Sequence, residues 1–161
     1  MARSGAHSKH AAAVPLFERL TDHNPEQPRE PQPLRTLSYP ELLRSVQKEV
    51  ARLLNIRSGH TTEELLGQSR STINYGVSDL LWVNPLDPQS LRTLVRILEE
   101  SIEAFEPRLQ GVRLTILRFV QTESRLVLNL AATLITQDLR EPVSFQVTAS
   151  ARTKEVLSDD E

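Results

Sequence analysis

The sequence predicts an α+β fold: two main amphipathic helices packed on a small antiparallel sheet of about three strands, with a flexible N-terminal arm. Three observations carry this. Residues 87–105 and 38–55 each repeat apolar side chains at the 3.6-residue helical period. Beyond residue 108 the chain changes to the two-residue alternation of strands. Helices with one buried face and strands with one buried side satisfy each other by stacking as two layers.

The chain divides into an arm and linker (1–33), a single domain (34–150) and an acidic C-terminal tail (151–161). Residues 1–10 are polar and small. The patch Val14, Leu16, Phe17 and Leu20 suits one helical turn, but so short a helix is marginal alone. Pro25, Pro28, Pro31 and Pro33 then stand among charges, an extended linker of polyproline character. Such an arm either docks on a partner or folds back on its own domain; the residues leave both open.

The first helix is announced by Ser38 with Glu41 three residues on, a capping-box pair, and by Pro40 in the first turn. Leu42, Leu43, Val46, Val50, Leu53 and Leu54 share one face, Asn55 falls on the opposite side, and Ser58-Gly59 follow as breakers. Residues 61–66 suit a short capped helix, 71–79 read as irregular chain or a broken turn of helix, and Leu80, Leu81, Trp82 and Val83 form an apolar run stopped at Pro85. The second main helix has Asp87 as N-cap and Pro88 in its first turn. Leu91, Leu94, Val95, Leu98, Ile102 and Phe105 line one arc. Pro107 forbids its continuation.

Strands follow at 112–120 and 125–135, joined by a hairpin-length loop at 121–124. In the third, Val143, Phe145, Val147 and Ala149 alternate with Ser144, Gln146, Thr148 and Ser150. One face of that strand should be wet, which suits a sheet edge.

Composition narrows the function. A chain of 161 residues has room for one domain with a real core. Its net charge of −2, from 19 basic and 21 acidic residues, gives no general reason to bind nucleic acid or an anionic membrane. At 4 % aromatic content, platforms for stacking bases are not expected. Without cysteine there are no disulfides, thiolate metal sites or thiol nucleophiles. No apolar run approaches the roughly 20 residues of a membrane helix. A soluble cytoplasmic protein is the expectation, with no metal, cofactor or small-molecule substrate. His7, His10, His23 and His60 lack metal-helix spacing, and no glycine-rich phosphate loop or nucleophile elbow occurs.

Carboxylates are the one catalytic temptation. Glu99, Glu103 and Glu106 stand together beside the apolar stripe of the second helix. Glycoside hydrolysis needs two acids roughly 5 to 9.5 Å apart across a cleft, one kept neutral by burial. A solvated charged flank explains the same stripe. The corner Glu106-Pro107-Arg108 is different: a rigid turn presenting one anion and one cation where helix becomes sheet. It reads either as helix-ending punctuation with a local ion pair, or as a pre-organised pair offered to a partner.

Several of these stretches together resemble one family. Ser45-Val46, then Leu53-Leu54-Asn55-Ile56-Arg57, is similar to its Ser-Val and Leu-Leu-Asn-Thr-Arg signature. Asn74-Tyr75-Gly76-Val77-Ser78-Asp79-Leu80 resembles its Asn-Tyr-Gly-Leu-Pro-Asp-Leu, and Glu106-Pro107-Arg108 matches its Glu-Pro-Arg motif. Leu16-Phe17-Glu18-Arg19-Leu20 is similar to its N-terminal segment. Ile56 and Val77-Ser78 depart from the pattern. The family is TssE, the baseplate subunit of bacterial type VI secretion, related to a phage-tail wedge protein that carries an old "lysozyme-like" label.

The resemblance implies a structural, non-enzymatic subunit of a contractile injection system, in the baseplate at the inner face of the cytoplasmic membrane. Its partners would be the wedge proteins TssF, TssG and TssK and the sheath proteins TssB and TssC. Partner contacts are expected at Glu106, Pro107 and Arg108, and at a strand-accepting edge around Val143, Phe145 and Val147. Asn55, Arg57, Tyr75 and Gly76 would be structural. The alternatives are a peptidoglycan hydrolase, or a small adaptor or inhibitor of the same fold.

Overall fold

The computed structural model of the protein describes residues 12–13, 36–61, 64, 71–78, 84, 87–120, 125–137 and 139–150. The apolar patch at 14–20, the linker at 24–33, most of 61–66, the run 80–83, the loop 121–124 and the tail 151–161 lie outside the described residues. Two short strands come first, β1 (Ala12–Ala13) and β2 (Thr36–Leu37). Helix α1 (Tyr39–Asn55), a 3-10 turn (Thr72–Asn74) and helix α2 (Pro88–Phe105) follow. Strands β3 (Leu109–Val120), β4 (Arg125–Ile135) and β5 (Arg140–Ser150) complete the fold.

Both helices begin where their capping residues place them. The Glu41 carboxylate accepts from the Ser38 backbone N–H at 2.8 Å and from its hydroxyl at 2.5 Å, the returning half of a capping box. Asp87 accepts from the N–H groups of Gln89 and Ser90, both at 3.0 Å, satisfying donors that a helix start leaves orphaned. The periodic faces turn inward. Leu42, Val46, Val50, Leu53 and Leu54 of α1 are buried, as are Leu94, Ile97, Leu98 and Ile102 of α2. Two serines share those faces, Ser45 and Ser101.

The main sheet is an antiparallel meander in the order β3-β4-β5, so the third strand is an edge, as its wet face suggests. α1 lies along β5 and α2 along β3, both on one side of the sheet. Leu114, Leu130 and Phe145 stand abreast across the strands beneath them. On the opposite face Thr115, Asn129 and Gln146 stand abreast instead. β3 starts three residues before its alternating pattern does, at Leu109. The reason is a bulge in which Gly111 and Val112 together face Ala132, with Gly111 at φ +63°. The extra residue interrupts the period that sequence reading relies on. A second register shift falls at Leu117, between the pairs Ile116–Leu128 and Arg118–Val127.

Ala12 and Ala13 pair with Leu37 and Thr36, so at this point the arm returns to its own domain, beside the start of α1. The segment after α1 is tied to the one before α2. Ser58 N–H donates to Val77 O at 2.8 Å, and Val77 N–H to Ile56 O at 3.0 Å, a parallel bridge between two stretches far apart in sequence.

Candidate docking site

The corner after α2 is assembled by backbone bonds on three sides. Glu106 N–H donates to Ile102 O at 2.8 Å, closing the last helical turn, and Leu109 N–H returns to Glu106 O at 3.0 Å. Arg108 O accepts from Ile135 N–H at 2.7 Å, which fastens the corner to the end of β4. Pro107, exposed at the tip, cannot extend the helix and fixes where it turns.

The side chains do not project as the sequence suggested. Glu106 is 4 % exposed, and its carboxylate accepts a two-toothed fork from Arg108, Nε to Oε1 at 2.7 Å and Nη2 to Oε2 at 2.6 Å. Arg108 Nη1 goes on to donate to the buried Ser45 hydroxyl on α1 at 3.0 Å. The expected exposed anion is therefore corrected to an internal one. Burial takes water from the carboxylate, which would be costly without a partner, and the arginine that folds back to it supplies one. What faces outward is Pro107 and the partly exposed Arg108. The spacing of Glu106 and Arg108 gave the pair; nothing in it told which way the pair would turn.

The acidic stripe is also engaged. Glu99 Oε1 accepts from Leu114 N–H at 2.8 Å, and Glu103 Oε1 from Val112 N–H at 2.9 Å. Both donors lie on the side of β3 that faces away from β4. Two successive helical turns thus lay their carboxylates along a sheet edge, which requires acids four residues apart. With Glu106 in its ion pair, each of the three acids has structural donors, an arrangement different from two acids facing across a cleft.

At the other edge, Asn55 is exposed as its helical position predicts, yet its amide binds β5 as a strand would. Nδ2 donates to Thr148 O at 3.0 Å, and Oδ1 accepts from Ser150 N–H at 3.1 Å. Nδ2 also reaches Ala51 O at 2.7 Å, holding the amide in place. This bonding fixes the parity of β5: Thr148 and Ser150 turn backbone groups outward, and by the two-residue repeat so do Gln146 and Ser144. Val143, Phe145 and Val147 turn theirs toward β4, and their side chains are 7 %, 8 % and 5 % exposed. Around Val143, Phe145 and Val147, where the open edge was expected, the outward backbone groups are therefore those of the neighbours Ser144 and Gln146. Pro142 falls in the outward set, where a missing N–H costs the ladder nothing.

The remaining signature residues serve the bridge. Gly76, at φ +110°, would place a Cβ 2.7 Å from Ile56 O and 3.0 Å from Ser58 N. Arg57 pairs with Val77 and donates from Nη1 to Leu54 O at 3.4 Å. Tyr75 meets Phe105 edge-on with ring centroids 5.0 Å apart. Its burial pushes the phenol pKa up, with Glu49 and Glu106 adding to the shift and Arg52 opposing it. His60 Nδ1 stands 3.7 Å from Glu64. Among the described residues no group of three or more acids and histidines could hold a metal ion, and no helix is long and apolar enough to cross a membrane.

A comparison with curated proteins finds no match. Among solved structures, a chain of "The baseplate complex from the type VI secretion system" is similar at a TM-score of 0.47 and 17 % identity, over 69 % of this chain and 96 % of that one. A crystal structure from Geobacter sulfurreducens, of a protein whose name refers to a tail lysozyme, is similar at 0.36 and 17 % identity, over 64 % and 90 %. Both likenesses are slight. The family model for the baseplate wedge protein gp25 matches residues 40–139, from the first turn of α1 through both signature stretches and the corner to the residue before β5, and the chain belongs to that family.

Proposed function

We propose that this wedge-family protein is a structural subunit of a type VI secretion baseplate, linking wedge subunits to the contractile sheath and helping to template sheath polymerisation. The observation that carries the reading is the family match over residues 40–139, which takes in the Asn55, Gly76 and Glu106-Pro107-Arg108 motifs together. The placement of Glu99, Glu103 and Glu106 supports a non-enzymatic role, because a carboxylate already accepting structural hydrogen bonds is poorly placed to shuttle protons. The protein works at the cytoplasmic face, among TssF, TssG and TssK on one side and TssB and TssC on the other.

Docking on wedge subunits falls to the corner. Its backbone is braced by α2, β3 and β4, and its ion pair pins it to α1, so little ordering entropy remains to be lost on binding. Pro107 and the outer edge of the Arg108 guanidinium form the contact. Pro107→Asp alters that tip without touching the buried fork. It should abolish capture of purified wedge subunits while circular dichroism stays unchanged; undiminished capture rejects docking at the corner. Strand addition on β5 falls to the outward groups of Ser144 and Gln146. Gln146→Pro should stop sheath assembly and spare wedge assembly, and sheaths of normal number and length in that variant reject the edge. Clearing of a purified peptidoglycan suspension by the wild-type protein, lost on changing Glu99 or Glu103, would overturn the non-enzymatic reading.

A further inference from the structure

We infer that Glu99, Glu103 and Asn55 are edge guards: helix side chains that occupy outward backbone groups of both edge strands and so keep a second copy of this chain from pairing with the sheet. The inference is independent of the baseplate reading. A three-stranded antiparallel sheet has two open edges, each a row of donors and acceptors ready to template another strand. Edge strands of 12 and 11 residues are long enough to make that hazard real.

Each edge is closed by a different device. On β3 the exposed partners would be N–H donors, and two anionic acceptors meet them, Glu103 at Val112 and Glu99 at Leu114. The bulge of Gly111 and Val112 starts this stretch and the Leu117 shift ends it, so Glu103 meets an N–H in the bulge and Glu99 one in the regular run 113–116 between the two irregularities. On β5 Asn55 offers one donor and one acceptor, the complement of Thr148 O and Ser150 N–H. An amide supplies both where a carboxylate could not. Pro142 removes a donor near the opposite end. Between them the outward groups of Ser144 and Gln146 have no side-chain cap among the described residues. Two copies meeting there would be held by that short pairing alone, which is marginal even at full hairpin length, whereas a partner held by further contacts elsewhere can still add a strand there.

The test is self-association of the full chain, with amide exchange as a local readout. Wild type should sediment as a monomer across a concentration series, with Val112 and Leu114 amides protected. Glu99→Ala with Glu103→Ala should lose that protection and form concentration-dependent dimers or larger species with an intermolecular β signature in the infrared. Glu99→Gln with Glu103→Gln keeps an acceptor oxygen at each position and should remain monomeric. Should the alanine pair lose its fold by circular dichroism, Asn55→Ala, at an exposed helix end, decides on the β5 side by the same measurements. Folded alanine variants that stay monomeric at every concentration overturn the inference, as does a glutamine pair that associates like the alanine pair.

Discussion

Gly76 is pressed against the carbonyl of Ile56, so closely that a side chain on it would begin 2.7 Å from that oxygen. Its φ of +110° is itself a conformation other residues rarely adopt. Gly111 shares the second property and lacks the first: at φ +63° it has nothing within 4 Å of a would-be Cβ. The two alanine substitutions therefore separate backbone strain from collision. Gly111→Ala should cost about 1–2 kcal/mol, the left-handed penalty alone, and Gly111→Asn less. Gly76→Ala adds a clash with backbone that cannot swing aside and should exceed it by about 1 kcal/mol or more. Urea unfolding of the two variants checks the order.

The Glu106–Arg108 fork makes a second prediction. Side-chain exposures of 6 % and 19 % put it among buried pairs, where deleting one partner strands the other. Arg108→Met or Glu106→Gln should each destabilise by about 3–5 kcal/mol. The double change Glu106→Gln with Arg108→Met should cost clearly less than the two added, because neither charge is then left alone. Arg108→Lys keeps the charge but has no fork and cannot reach both Glu106 oxygens and Ser45 together, so it should fall between. A double-mutant cycle in denaturant measures all four.

How far the sequence reaches is clear from these residues. Periodicity located both helices and the three main strands, because the hydrophobic pattern and the caps at Ser38 and Asp87 agree with the tertiary fold. It placed the start of β3 late, since the Gly111 bulge breaks the alternation from which strands are read. Glu99 and Glu103 read as a solvated flank or a catalytic pair, and neither reading foresaw the hydrogen bonds that engage both. Their partners are backbone N–H groups on β3, which no side-chain pattern records. The same holds for Asn55, whose neighbours on β5 are more than 90 residues away. Direction was the other hidden quantity: the composition of Glu106-Pro107-Arg108 fixes a turn and an ion pair, but not that the anion lies inside, with Arg108 bridging it to Ser45 on α1.

An acid-side prediction follows from Glu41. Hydrogen bonds from the Ser38 hydroxyl and backbone N–H, with Arg44 nearby, hold its carboxyl below the usual value of 4.5. A group held low in the folded state binds its proton less readily there than in the unfolded chain. Its contribution is therefore complete above about pH 4.5 and is lost as pH falls through the folded value. The site is solvent-exposed, so the effect is a local one at the start of α1. Glu41→Gln should remove this part of the acid dependence, seen as a shallower loss of helical circular dichroism below pH 4.5, with little change at neutral pH.

Tyr75 supplies the opposite limb. Burial, then the nearby Glu49 carboxylate, raise its phenol above 10.0; Arg52 pulls the other way and Glu106 adds a lesser push upward. The unfolded chain therefore releases this proton first as pH climbs. The stabilisation from keeping the phenol neutral is whole below about pH 10 and is drained between there and the folded value. Tyr39 is also raised, through burial and then Glu141, so the two must be resolved separately. Tyr75→Phe keeps the edge-on contact with Phe105 and has no proton to lose. Its unfolding free energy should fall less steeply than that of wild type above pH 10, and Tyr39→Phe should show an independent effect of the same sign. Spectrophotometric titration at 295 nm gives the matching readout: wild type should show tyrosine ionising later than its unfolded chain, and Tyr75→Phe should lose one of the delayed steps.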